Sequence, residues 1–125
     1  METQDRRRVD TVEQLMKVIG AKWKPAILFC LVHGGRQRYS NIRRAIPDAT
    51  QRMLTLRLRE LERDGIVRRF VHQVVPPRVE YEMTELGMEL HPIFRDLCSW
   101  GEVHQSDILA CREAYDRKNG RGGSN

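Results

Sequence analysis

The sequence predicts a mainly α fold with a small β-hairpin, an α+β winged helix-turn-helix with a further helix at each end. Three observations predict it. Two short helical patterns lie on either side of Pro47, two β-rich runs are hinged at Pro76 and Pro77, and a long apolar stripe follows Thr84. The chain has 125 residues, of which 40% are hydrophobic and 31% charged, enough to bury one core with charge to spare. The expected organisation is a basic N-terminal arm over residues 1–10, one domain over residues 11–116 and a disordered polar tail over residues 117–125.

In chain order, Val12, Leu15, Met16 and Ile19 recur at helical spacing, and Thr11 with Gln14 offers a capping box, so a first helix is expected over residues 11–19. Gly20 closes it, and Pro25 suits the first turn of a second, all-apolar helix over residues 26–32, ended by His33, Gly34 and Gly35. Ser40 can cap a third helix with Ile42, Ala45 and Ile46 inward, and Pro47 stops it. Thr50 can cap a fourth with Leu54, Leu58 and Leu61 on one face, followed by Gly65 as its left-handed terminator.

Residues 66–75 are β-branched and aromatic, while Val79, Tyr81 and Met83 alternate with Glu80 and Glu82; the prolines between them belong at a hairpin tip because they cannot donate ladder hydrogen bonds. Thr84 is the expected cap of a long last helix, kinked near Pro92, whose apolar stripe includes Leu86, Leu90, Ile93, Phe94, Leu97, Trp100 and His104.

Charge is segregated. Residues 1–78 carry 17 Lys and Arg against 8 Asp and Glu, whereas residues 79–125 carry 5 against 9, within a net charge of +5. A basic block followed by a mildly acidic one suggests a polyanion-binding module joined to an assembly element. No apolar run approaches the length of a membrane span, and the basic start leads into an amphipathic pattern, so a cytoplasmic protein without a membrane partner is expected. Phosphate loops, nucleophile elbows and metal-protease motifs are absent from the sequence, so neither an enzyme nor a cofactor is expected.

The fourth helix carries the chemistry of groove reading. Opposite its leucines stand Gln51, Arg52, Thr55, Leu56 and Arg59: Arg can bridge guanine O6 and N7, Gln can pair with adenine, and Thr or Leu can touch a thymine methyl group. Thr50, Ser40, Asn41 and Arg44 near helix starts, with Lys22 and Lys24 before the second helix, are candidates for backbone phosphates. Arg78 beside the two prolines would put a cation at the wing tip, against a minor groove or phosphate.

Several segments together resemble the HxlR-type regulators. They are GlyAlaLysTrpLys at residues 20–24, ArgMetLeuThr at 52–55, LeuArgGluLeuGluArgAspGly at 58–65, ValProProArgValGluTyr at 75–81 and ThrGluLeuGly at 84–87. The resemblance covers residues 12–104, most specifically in the ProProArgValGluTyr wing. It implies a homodimeric, double-stranded-DNA-binding winged-helix regulator whose first and last helices form the dimer. Val12, Leu15, Met16 and Ile19, with Leu90, Ile93, Phe94, Leu97, Trp100 and His104, are then the expected interface. Many such regulators place a sensing cysteine and a proline just before the first helix, where this chain has Asp10 and Thr11. A second departure is Ala21 in place of a glycine.

Of three cysteines, Cys30 falls in the apolar second helix and reads as core, while Cys98 and Cys111 in the last helix are either packing residues or thiols open to oxidation. His104 and Asp107 share a helix face, but two ligands make no metal site. The function expected is sequence-specific regulation of transcription at a palindromic promoter site, with residues 50–64 in the major groove and the wing over residues 66–83. An oxidant or small-molecule signal is left open. The rival is a winged helix that binds protein alone, which has less use for Arg52, Arg59 and Arg78 on one side.

Overall fold

The computed structural model describes residues Met1–Gly120. The elements are α1 (Thr3–Ile19), α2 (Lys24–Gly34), β1 (Gln37–Arg38), α3 (Tyr39–Ala45), α4 (Gln51–Arg63), β2 (Val67–His72), β3 (Arg78–Met83), α5 (Glu85–Met88) and α6 (His91–Lys118). They divide into two compact units, one of Met1–Glu89 and one beginning at Leu90.

In the first unit a core of aliphatic side chains gathers around α4. Leu54, Leu58 and Leu61 are fully buried with Ile27 and Leu31 of α2, Ile42 of α3 and Val67 of β2. The 3.6-residue spacing puts all three leucines on one face, and Thr50 starts the helix by accepting the Met53 N–H at 3.1 Å. Gly65 stops it with φ at +76°, a conformation that costs a glycine little.

The antiparallel sheet has the order β1-β3-β2. Val67 pairs with Met83 and His72 with Arg78, so the turn of the wing comprises residues 73–77. Gln37 and Arg38 add a third strand on the far side of β3, opposite Tyr81 and Glu80. That strand is not expected from the sequence, because two residues are too few to show alternation.

Several boundaries differ from the sequence reading, among them that of α3, which starts at Tyr39 with Arg38 as its N-cap, so the expected Ser40 cap does not form and Ala45 is exposed. Helix α1 begins at Thr3, so residues 3–10 are helical and not an arm; neither Gly nor Pro interrupts the chain before Gly20. Thr11 therefore sits inside the helix, its hydroxyl on the Arg7 carbonyl at 2.9 Å, and the Thr11–Gln14 capping box does not form. After Thr84 there are two helices and no kinked rod: α5 ends at Met88, and Pro92 occupies the first turn of α6, where its missing N–H costs nothing. Helix α6 continues to Lys118, with the Asn119 amide donating to the Tyr115 carbonyl at 2.9 Å, so the expected tail is helical at residues 117–118. The rest of that tail, residues 121–125, lies outside the described residues.

Thr84 joins the hairpin to α5. Its hydroxyl donates to the Gly65 carbonyl at 2.6 Å and accepts the Gly87 N–H at 3.0 Å. Thr84→Ala loses both bonds, the second of which is the cap of α5, and is expected to lower unfolding free energy by about 0.5–2 kcal/mol. Urea unfolding followed by circular dichroism measures the difference.

Candidate nucleic-acid interface

Because its leucines are committed to the core, α4 turns Gln51, Arg52, Leu56 and Arg59 to solvent, while Thr55 is half-buried. These five residues line one shallow hollow along the helix. The Tyr39 hydroxyl lies 3.4 Å from the Gln51 carbonyl and 3.5 Å from Thr55 Oγ1, which ties the start of α3 to the first turns of α4.

Between α4 and the wing runs an open cleft of about 740 Å³. Its walls include Arg59 of α4, Arg38 and Ser40 from the β1–α3 junction, and Pro76, Pro77 and Arg78 of the wing. Thr50 and Ser40 are exposed beside it, and Arg44 donates to the Asn41 side chain. Among the described residues no acid pairs with Arg38, Arg52 or Arg59. By contrast, Arg69 reaches Glu62 at 3.4 Å and Arg68 reaches Glu82 at 3.2 Å.

Three expected site residues are placed differently. Lys24 is only 3% exposed, so it is not presented to a phosphate; its ammonium meets Glu60 at 3.4 Å and the Lys17 carbonyl at 3.4 Å. Arg78 is the first residue of β3 and stands at the base of the turn, while Val75 projects at the tip. Ile19 is 9% exposed and belongs to the core, unlike Val12, Leu15 and Met16, which are exposed on the same helix. Lys22 is exposed, its ammonium 4.8 Å from the centre of the Trp23 ring.

Two ion clusters and one cleft residue escape sequence reasoning. On the far end of α4, Glu60 accepts Arg57 at 2.8 Å, and Arg57 Nε also donates to the Lys22 carbonyl at 3.0 Å. On the sheet, Glu80 accepts His72 at 2.7 Å and Arg36 at 3.0 Å. Arg57 and Glu60 are an ordinary i,i+3 helix pair, but no spacing rule connects Glu60 with Lys24 or Glu80 with Arg36. Arg38 in the cleft has a weak signal, being a cation just before the expected third helix; in the structure it is the N-cap residue of α3.

The second unit presents a helix with no buried residue of its own: Ile93, Leu97 and Trp100 are exposed, Leu90, Phe94 and His104 partly covered. Trp100 and His104 rings stack with centroids 4.6 Å apart. Cys98 and Cys111 are exposed, and Cys30 is half-buried beside Gln37. The Glu102 carboxylate accepting from Cys98 at 3.4 Å raises that thiol above its usual range, while burial does the same for Cys30. Among the described residues no three His, Cys, Asp or Glu gather as a metal site, and no helix is long and apolar enough to cross a membrane.

Comparison with known proteins bears on this geometry. A family model described as HxlR-like helix-turn-helix matches residues 18–108. The chain belongs to this family. It is 51% identical over 109 residues to the HTH-type transcriptional regulator YybR of Bacillus subtilis, covering 87% of this chain and 82% of that one. Among solved structures, the redox regulator HypR in its reduced form superposes with a TM-score of 0.73 at 46% identity, covering 80% of this chain and 98% of its own. The HTH-type regulator ytcD superposes at 0.71 with 48% identity, covering 76% and 96%. The winged-helix assignment read from the residues is therefore borne out.

Both ion clusters predict a response to acid. The Arg57 hydrogen bond, with Lys24 adding to it, holds Glu60 below the ordinary carboxylate range, and the His72 hydrogen bond, with Arg36, does so for Glu80. A depressed folded-state value contributes stability that is complete above the unfolded value of about 4.3 and is lost as pH falls through the folded one. Replacing Glu60 and Glu80 by Gln is expected to flatten the fall in stability between about pH 5 and pH 3. Denaturant unfolding of the double variant and wild type at each pH measures the slopes.

Proposed function

We propose that the chain is a sequence-specific, double-stranded-DNA-binding regulator of transcription that acts as a homodimer on a palindromic site. The reading rests above all on where uncompensated positive charge lies: Arg38, Arg52 and Arg59 have no acidic partner among the described residues and gather at the first turns of α4 and the adjoining cleft. A duplex supplies the missing anions as phosphates and guanine edges. Relatives of this family are named as transcriptional regulators and not as enzymes. The rival reading, protein binding alone, leaves that charge without a use. Regulation of transcription also implies a cytoplasmic location.

In this reading Gln51, Arg52, Thr55, Leu56 and Arg59 meet bases. Thr50, Ser40, Asn41, Arg44, Lys22, Arg38 and Arg78 hold phosphates. Lys24 is withdrawn by its burial. Arg52→Ala is expected to cost about 1–3 kcal/mol on the preferred operator and to relax base preference there. Arg78→Ala is expected to weaken specific and random duplex alike and to reduce the salt slope by about one unit. Titrations at several salt concentrations against an operator selected from genomic DNA separate the two patterns; the reverse assignment follows if Arg78→Ala alone alters base preference.

The exposed stripes on α1 and α6 supply the homodimer, since Trp100 at 56% exposure and its neighbours are too apolar to leave in water. Two-fold symmetry then presents two α4 helices about 34–36 Å apart, or a multiple of that distance. An oxidant is a second input, on the precedent of HypR, a redox regulator. Because Glu102 disfavours the Cys98 thiolate, Cys111 is the better placed of the two exposed thiols. Replacing Leu97 and Trp100 by Glu is expected to convert a dimer to a monomer in sedimentation at micromolar concentration; a monomeric wild type refutes the assembly.

A further inference from the structure

One face of the sheet carries an ion network that base and phosphate contacts do not use. Glu80, in the middle of β3, has a side chain 19% exposed and is approached by three cationic or titratable groups. His72 Nε2 lies 2.7 Å from Oε1, Arg36 Nε 3.0 Å from the same oxygen, and Arg78 Nε 3.7 Å from Oε2. Arg36 arrives from the α2–β1 turn, which Gly35 directs with φ at +69°. Its guanidinium also sits 3.5 Å from the centre of the Phe70 ring.

The distances rank these partners. A carboxylate only accepts, so an approach of 2.7 Å places a proton on His72 Nε2; a second proton enters at Nδ1 and makes the ring a cation. Arg36 is held by Glu80 and by Phe70, and its Nη2 also lies 3.4 Å from His72 Nε2. Arg78 is held most loosely: its Nε is buried, makes no hydrogen bond among the described residues, and belongs to a side chain that also lines the cleft beside α4. The groups around Glu80 are Arg36 from the turn, Arg38 opposite it on β1, Phe70 and His72 on β2, and Arg78 on β3. The next pair along the ladder is Arg68 with Glu82. One carboxylate is thus shared between two permanent cations and one imidazole.

We propose that Glu80 is a positioning residue for Arg78, holding it along the sheet while His72 is neutral and releasing it to a DNA phosphate when His72 is protonated. The imidazolium satisfies the carboxylate more fully and repels both guanidiniums; Arg36 keeps its Glu80 bond and the Phe70 ring, and Arg78, the weakest of the three contacts, gives way. DNA binding therefore takes up a proton. The inference rests on the DNA-binding reading and adds a pH-dependent control to the same surface.

The test measures random-duplex and operator binding between about pH 8 and pH 5.5. It uses wild type, His72→Gln, Glu80→Gln, Arg78→Ala and the Arg78→Ala, Glu80→Gln double variant. Wild type is expected to bind random duplex several-fold tighter at the lower pH, with a salt slope steeper by about one unit. His72→Gln, which keeps an amide donor for Glu80, holds the high-pH behaviour throughout. Glu80→Gln shows the low-pH behaviour throughout, and Arg78→Ala abolishes both effects. If Glu80→Gln strengthens binding as much in the Arg78→Ala background as in wild type, or if His72→Gln keeps the full pH response, Glu80 does not act through Arg78 and the inference falls while DNA binding stands. Should Glu80→Gln lose its helical circular dichroism, His72→Gln decides alone. A wild type that binds no duplex at any pH overturns the DNA-binding reading and this inference with it.

Discussion

Helix α4 has thirteen residues and one buried face, and the burial of Leu54, Leu58 and Leu61 decides what every other residue on it can do. Each fully buried leucine is worth about 1.5–3 kcal/mol relative to exposure, far more than any one surface contact on the opposite side. The helix cannot rotate to improve a polar contact without exposing that face. Gln51, Arg52 and Arg59 are consequently fixed in direction by apolar packing, not by their own interactions. In the proposed role, a reading surface of long flexible side chains would gain its register from leucines on the opposite face.

The depth of α4 is set from its other end by an ionic contact with an unusual member. Lys24 is the only charged residue that is buried among the described residues, and an isolated buried ammonium is costly enough that its partners must be supplied. They are Glu60 of α4 and the Lys17 carbonyl at the end of α1, while Arg57 of α4 returns a bond to the Lys22 carbonyl. Trp23, between Lys22 and Lys24, holds a φ of 79°, a strained value for a bulky residue that these contacts on either side retain. The α1–α2 turn and α4 therefore form one unit.

Much of this was legible in the sequence because it is periodic. The leucine spacing of α4, the caps at Thr50 and Thr84, the glycine at 65 and the proline-hinged hairpin all follow from local rules, and the structure has each of them. What was not legible is non-local. Lys24 and Lys22 are two residues apart with the same chemistry, yet one is buried and the other exposed; only the position of Glu60, 36 residues on, distinguishes them. Arg36 and Glu80 are likewise invisible as a pair until β1 joins the sheet, and β1 is too short to show itself. Residues 3–10 failed in the other direction: a cluster of arginines reads as a solvated arm, although nothing in it breaks a helix.

Among the cations around the sheet and the face of α4, geometry distinguishes two populations. Cations on or beside the sheet, at Arg36 in the α2–β1 turn and at Arg68 and Arg69 on β2, find carboxylates on a neighbouring strand or helix. Cations at Arg38, Arg52 and Arg59 find none among the described residues and leave a positive field over the cleft. Net charge alone cannot separate these roles, since an arginine paired at about 3 Å contributes little to a distant polyanion. Arg78 belongs to neither population. It borders Glu80 at 3.7 Å, too far for a firm bond, while opening onto the cleft, and under the proposed switch the charge around one carboxylate decides whether it serves the fold or the ligand.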